Sequence, residues 1–341
     1  MRTAFRPFLF NTGLLALALL LCVAVGSVLI PPADLARLIL ERLPFLGLPI
    51  AGQETAATIL FQVRLPHTAL IALAGAALSG SGAAYQGLFR NPLADPYLIG
   101  VASGAGLGAI LAMASPLASN RLGLYAVPAA AFVGALLTVA IVYMLARTAG
   151  FVPTTTLILA GVAVGSFATA LTSYLMLRSQ GELHRAIAWL LGGGISSGWE
   201  PVLVVLPYVV VSLGILVLSG HALNVLQFGE EQAQQLGLPV ERARLIIITA
   251  ASLATAAAVS FSGIIGFVGL IVPHLVRLLW GPDYRKLVPL SIFGGATVLL
   301  LADLLARVVM APEVLPVGVI TALAGAPFFL WVLRRSRKSG N

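Results

Sequence analysis

The chain has 341 residues, 59% of them hydrophobic and 9% charged, and a mean hydropathy of +1.02. That balance excludes a water-soluble domain with one buried face and requires a protein embedded in a membrane. The formal net charge of +8 would suit nucleic acid, but the basic residues sit mostly in short breaks between apolar runs, where membrane orientation accounts for them, so no nucleic-acid partner is expected.

In chain order, apolar segments near 8–30, 59–85, 97–115, 122–146, 154–176, 201–220, 243–262, 264–279, 287–309 and 315–333 predict ten spans within one membrane domain covering 1–341. The first run follows Arg2 and Arg6 as a signal peptide would, but its length and the lack of a small-x-small cleavage site favour a retained helix. Cys22, inside that run, is the sole cysteine, which leaves neither an intramolecular disulfide nor a thiolate metal cage. One set of breaks comprises 1–7, 86–96, 147–153, 221–242, 280–286 and the tail after 333. With Arg244, His274 and Arg277 it holds 13 Lys/Arg against 5 Asp/Glu, whereas the rest of the chain holds 7 of each. The asymmetry predicts that both termini are cytoplasmic. AALSGSG at 76–82 matches AAVSFSG at 257–263, and Pro92 matches Pro273 at the same offset. In a ten-span chain the two copies run in opposite directions, which suggests an inverted internal repeat.

Residues for chemistry are sparse. His67, His184, His221 and His274 are scattered without a metal-ligand spacing, and neither lysine completes a phosphate-binding loop. GAGLG at 104–108 lies in an apolar run and suits close helix packing better than a dinucleotide. No catalytic residue, metal site or cofactor is therefore assigned to this chain, and any use of ATP has to come from a partner. The polar interval 221–242 is different in kind. EEQAQQLGL predicts a short cytoplasmic helix with Glu230 and Glu231 in its opening turn and Gly237 at its end, a better contact for another protein than for the bilayer. At 273–277, PHLVR suggests a span broken by Pro273, with His274 and Arg277 at its cytoplasmic end; helix capping is the alternative.

Four stretches together carry a family resemblance: RLPHTALIALAGAALSGSGAAYQGLFRNPLADPYLIGVASGAGLGA, FGEEQAQQLGL, FSGIIGFVGLIVPHLVRLLWGPDYRK and LLLADLLARVVMAPEVLPVGVITALAGAPFFLWVLRR. In this order they resemble the permeases of binding-protein-dependent ABC importers for vitamin B12, haem and ferric siderophores. The resemblance implies an all-α polytopic fold of the type II importer kind and a permease homodimer. It also implies two cytoplasmic ATPase subunits carrying ATP and Mg, and an extracytoplasmic substrate-binding protein, in a bacterial inner membrane. Ferric siderophore is the first choice of cargo, then haem, then cobalamin or another corrinoid. A secondary transporter is the runner-up, but it lacks an evident buried acidic pair for ion coupling and leaves the 221–242 interval unexplained.

The resemblance further implies residue roles. Phe228, Gly229, Glu230, Glu231, Gln232, Gln235, Leu236 and Gly237 would form the ATPase-coupling contact, with Glu230 or Glu231 pairing basic partner residues. Arg64, His67 and Arg307 would dock acidic groups of the binding protein, although Asp303 with Arg307 also reads as a local pair and His67 replaces the arginine usual after RLP. Asn91, Leu93, Thr154 and Thr155 would line a cytoplasmic constriction, and Asn91 and Thr154 equally suit helix capping.

Overall fold

The computed structural model describes residues 2–26, 35, 37–38, 40, 54–115, 123–148, 151–178, 181–194 and 198–338. The end of the first expected span, 27–30, and the last tail residues, 339–341, lie outside them.

Helix α1 covers Arg2–Ala24, and α2, Glu54–Thr58, runs through a π-helical turn, Ile59–Arg64, into α3, Leu65–Leu88. A 3-10 turn, Pro96–Ile99, leads to α4, Val101–Met113; α5 is Gly123–Ala146, α6 Thr154–Arg178 and α7 Leu183–Leu190. Helix α8 covers Trp199–Leu218, α9 Gly220–Leu226, α10 Glu230–Gln235 and α11 Val240–Ser262. The C-terminal part holds α12, Val268–Trp280, α13, Tyr284–Val308, and α14, Val317–Lys338.

Seven helical segments among the described residues are long and apolar enough to cross a bilayer, and the other three apolar helices, 101–113, 268–280 and 317–332, are shorter. The expected ten spans thus resolve into seven long helices and three short ones. A 13-residue helix such as α4 or α12 rises about 20 Å, less than the roughly 30 Å of hydrocarbon it would have to cross alone. The expected span 97–115 is split by Gly100, at φ +84°. Pro273 does not break α12, which continues to Trp280.

Between helices in lipid the hydrophobic effect supplies little, so packing relies on small residues and close backbone approach. Helix α3 is built this way: Gly, Ala and Ser dominate it, and every residue from Ala74 to Leu88 is buried. It is the central element, gripped by α13 and α11. Gly87 lies against Tyr284, Gly75 against Gly295 and Leu299, and His67 reaches Asp303, so α3 and α13 run antiparallel along their length. Ser81 donates to the Ala251 carbonyl at 3.0 Å and Tyr85 shares a 2.8 Å hydrogen bond with Ser252, while the Tyr85 hydroxyl also reaches the Ile248 carbonyl. Helix α11 is thus hydrogen-bonded to α3 near its own middle.

The two halves share a plan. Buried α3 precedes the 13-residue α4, whose cap Gly100 is left-handed; buried α11 precedes the 13-residue α12, whose cap Phe267 is left-handed as well, at φ +70°. The AALSGSG and AAVSFSG match is not the register of this symmetry. Gly82 lies inside α3 whereas Gly263 caps α11, and Pro92 sits in a turn whereas Pro273 sits inside a helix.

Candidate functional site

One end of the bundle gathers the interval 221–242, the turn after α3 and the start of α6. Helix α10 is one and a half turns long, and its end is fixed by backbone geometry. Gly237 takes φ +84°, its N–H reaches the Gln234 carbonyl at 2.9 Å, and the Leu238 N–H reaches the Ala233 carbonyl at 3.0 Å. This paired capping needs a left-handed residue, which glycine supplies without a Cβ penalty. Gly229, at φ +108°, starts the helix. Ala233 anchors it inward, while Phe228 and Leu236 stand 69% and 66% exposed at its two ends. Glu231, Gln232 and Gln235 are exposed. Glu230 pairs with Arg244 of α11. The 221–242 region also braces α13, since the Asn224 amide donates to Asp283 at 2.7 Å and its carbonyl accepts from the Tyr284 N–H at 2.9 Å. Hydrogen bonds from Arg285, with the Asn224 contact, hold the Asp283 carboxyl down at about 2.

Helix α3 ends with the same paired cap, Arg90 N–H to the Gly87 carbonyl and Asn91 N–H to the Gln86 carbonyl, but with Arg90 at φ +50° in the left-handed position. Such a conformation costs a non-glycine residue about 1–2 kcal/mol. Arg90→Gly should therefore raise the thermal midpoint of the purified protein, and an unchanged or lower midpoint would show that the side chain, which lies beside Gly229, compensates for the strain.

Asn91 is exposed and its side-chain oxygen accepts the Leu93 N–H at 3.0 Å, a local turn cap; Leu93 is half-buried. Asp95 accepts the Tyr97 N–H at 2.8 Å and caps the 3-10 turn. Burial pushes its carboxyl up to about 6, against the lowering effect of that hydrogen bond. Folding then favours the protonated acid, so its contribution to stability falls as pH rises from the ordinary 3.8 through about 6. Asp95→Asn keeps an acceptor for Tyr97 and removes the titration. Between pH 5 and pH 7 the parent protein should lose thermal stability relative to this variant; parallel pH profiles would contradict the assignment.

Thr154, half-buried, and Thr155, exposed, open α6 directly after Pro153. The constriction candidates Asn91 and Leu93 are linked to α6 through the 3-10 turn. Gly161 lets the Leu98 carbonyl approach to 2.3 Å from where a Cβ would stand, and Gly165 lies under Ser103 and Gly100. Beside this contact opens a concavity of about 730 Å³, walled by Asp95, Ser103, Ser166, Thr169 and Ser173 among others.

The other end holds the expected docking residues, turned inward. Arg64 is 6% exposed and donates to the carbonyls of Val23 and Ala24 at 3.0 and 3.2 Å. Arg307 pairs with Asp303 at 2.9 Å and reaches the Cys22 and Val25 carbonyls, so both arginines cap the last turn of α1. His67 Nε2 donates to both oxygens of Asp303, at 3.0 and 3.1 Å. The local reading of Asp303 with Arg307 is the observed one, and His67 joins it. The π-helical turn that presents Arg64 has a local cause. Pro66 has no N–H, and the Phe61 carbonyl accepts instead from the Trp199 indole at 2.9 Å. Among the described residues no three His, Cys, Asp or Glu side chains converge as a metal site.

Residues 14–335 match the FecCD transport family. The chain belongs to that family. It is 44% identical to the cobalamin import system permease protein BtuC of Halobacterium salinarum over 96% of this chain and 90% of that protein. It is 40% identical to the hemin transport system permease protein HmuU of Yersinia pestis, covering 82% of this chain and 84% of the relative. Among solved structures, an ABC transporter assigned to the metal-chelate type, in an inward-facing conformation, superposes with a TM-score of 0.80 at 29% identity, over 96% of this chain and 98% of the other. The protein is thus a multi-pass inner-membrane permease subunit of an ABC importer, not an ATPase in its own right.

Sequence reasoning missed two residues at the end of the bundle that holds 221–242. Arg244, noted only for its sign, is buried there and contacts Glu230, Glu241 and the Val152 carbonyl. Gln227 donates to the Gly87 carbonyl at 2.9 Å. The sequence shows only an arginine at the start of an apolar run; its burial, which requires that it be paired, comes from the fold.

Proposed function

We propose that this FecCD chain works as one half of a permease homodimer, coupled to two cytoplasmic ATPase subunits that carry ATP and Mg and supplied by an extracytoplasmic binding protein. The chain crosses the membrane in a ten-element, inverted-repeat arrangement with both termini in the cytoplasm. Phe228 and Leu236, held apart by rigid α10, seat in a cleft of the ATPase, with Gly229 and Gly237 setting the angle and Glu231, Gln232 and Gln235 on the contact rim. Asn91 and Leu93 with Thr154 and Thr155 form the cytoplasmic constriction. At the outer end, acidic groups of the binding protein compete with the α1 carbonyls for Arg64 and Arg307, next to His67. ATP binding and hydrolysis outside this chain drive the alternation, and cargo passes without chemical change.

For cargo we place a corrinoid first. The supporting observation is 44% identity to a cobalamin import permease over nearly the full chain. Haem follows, because a hemin permease is 40% identical, and ferric siderophore, the first choice from sequence alone, comes third. The test is cargo binding by the cognate binding protein, titrated with cobalamin, haem and a ferric siderophore. Submicromolar binding of cobalamin alone is expected. Selective binding of a ferric siderophore would overturn the corrinoid assignment and leave the importer assignment standing.

A further inference from the structure

The interval 221–242 has to move the constriction if the ATPases are to drive transport, and two polar tethers join these parts. The first runs through Arg244, the fifth residue of α11, whose side chain is buried. Its guanidinium touches three elements at once. It pairs with Glu230 on α10, it donates to Glu241 on its own helix at 2.7 Å, and it donates to the Val152 carbonyl at 2.8 Å. Val152 is itself buried and stands two residues before Thr154, where α6 begins. The backbone just before it is pinned, since Thr148 and Phe151 exchange both backbone hydrogen bonds. The second tether is Gln227, whose amide donates to the Gly87 carbonyl at the end of α3, directly before the turn that carries Asn91 and Leu93.

We propose that Arg244 is the positioning residue that transmits displacement of α10 to the start of α6, with Gln227 as a second arm to the turn after α3. The inference rests on the importer reading above. A planar guanidinium can hold two carboxylates and a carbonyl in fixed directions, which a flexible ammonium cannot reproduce. The three contacts also differ in what they join. Glu241 is on α11 and satisfies Arg244 locally, whereas Glu230 lies on α10 and the Val152 carbonyl on the segment leading into α6, the two parts that have to move together. A purely structural role would make both carboxylates equivalent. Transmission makes Glu230 matter and Glu241 matter far less.

The test uses the full complex of this permease with its ATPase and binding protein, reconstituted in proteoliposomes, and reads cargo moved per ATP hydrolysed. In Arg244→Ala and Glu230→Gln that ratio should fall roughly 2- to 30-fold, the range expected for breaking one link in a coupling network, while assembled complexes still turn over ATP. Arg244→Lys should fall between the parent and Arg244→Ala, and Glu241→Gln should stay near the parent. If Arg244→Ala fails to assemble, Glu230→Gln decides alone. An unchanged ratio in Glu230→Gln, or equal losses in Glu230→Gln and Glu241→Gln, would overturn the proposal. Absence of ATP-dependent uptake by the unsubstituted complex would instead overturn the importer reading on which it rests.

Discussion

Gly82→Val should prevent the permease from folding. A Cβ at this position would lie 1.8 Å from the Gly269 carbonyl oxygen and 2.8 Å from the Gly269 Cα. Backbone cannot swing aside as the tip of a flexible side chain can, so α3 and α12 would have to separate by about 1 Å before the contact reached even 3.0 Å. Gly269 is also the carbonyl that Pro273, four residues on and without an N–H, leaves unbonded within α12. The close approach of α3 therefore covers a polar group that lipid could not satisfy. Overpacking a tight contact costs roughly 1–3 kcal/mol even where side chains can yield, and here none can. Size-exclusion chromatography after detergent extraction should show aggregated or absent Gly82→Val protein. A monodisperse variant at parent yield would contradict this account of α3.

Gly237→Pro should do the opposite, sparing the fold and abolishing transport. Its surroundings are open, with nothing within 4 Å of a Cβ, so bulk is not the issue. Proline fixes φ near −65° and removes the N–H that bonds the Gln234 carbonyl, whereas this position holds φ +84°. The paired cap of α10 is lost and Leu236 changes direction, while the membrane helices keep their packing. Transport should drop at least about ten-fold at near-parent membrane levels. Gly237→Ala, which meets only the left-handed penalty of about 1–2 kcal/mol, should fall between proline and the parent. Unaltered transport by an assembled Gly237→Pro complex would show that the local backbone geometry is dispensable.

These two glycines also mark how far the sequence could be read. Gly237 was legible because its cause is local: a largely polar hexamer, Leu236, the glycine and then LPV form a helix and its stop in one short stretch. The membrane class and most long helices were legible for a similar reason, since apolar length is a one-dimensional property. The role of Gly82 was not. Its partner Gly269 is distant in the chain, and a Gly-Ser-Ala run reads as small in any register, which is why the AALSGSG match pointed to internal symmetry at the wrong offset. Arg64 and Arg307 were readable as charges near one end of the bundle, but their inward turn depends on the free carbonyls at the end of α1, which no pattern around either arginine announces. Arg244 was hidden likewise, because its importance lies in joining α10, α11 and the approach to α6.

In the proposed assembly an external ATPase drives this chain. The most direct measurement is cargo uptake into proteoliposomes holding the permease with its ATPase and binding protein, compared with the same permease when the ATPase is omitted or its hydrolysis is disabled. Accumulation is expected only with ATP and a competent ATPase, unaffected by collapsing ion gradients. Accumulation by the permease alone under an ion gradient, without ATP, would contradict it.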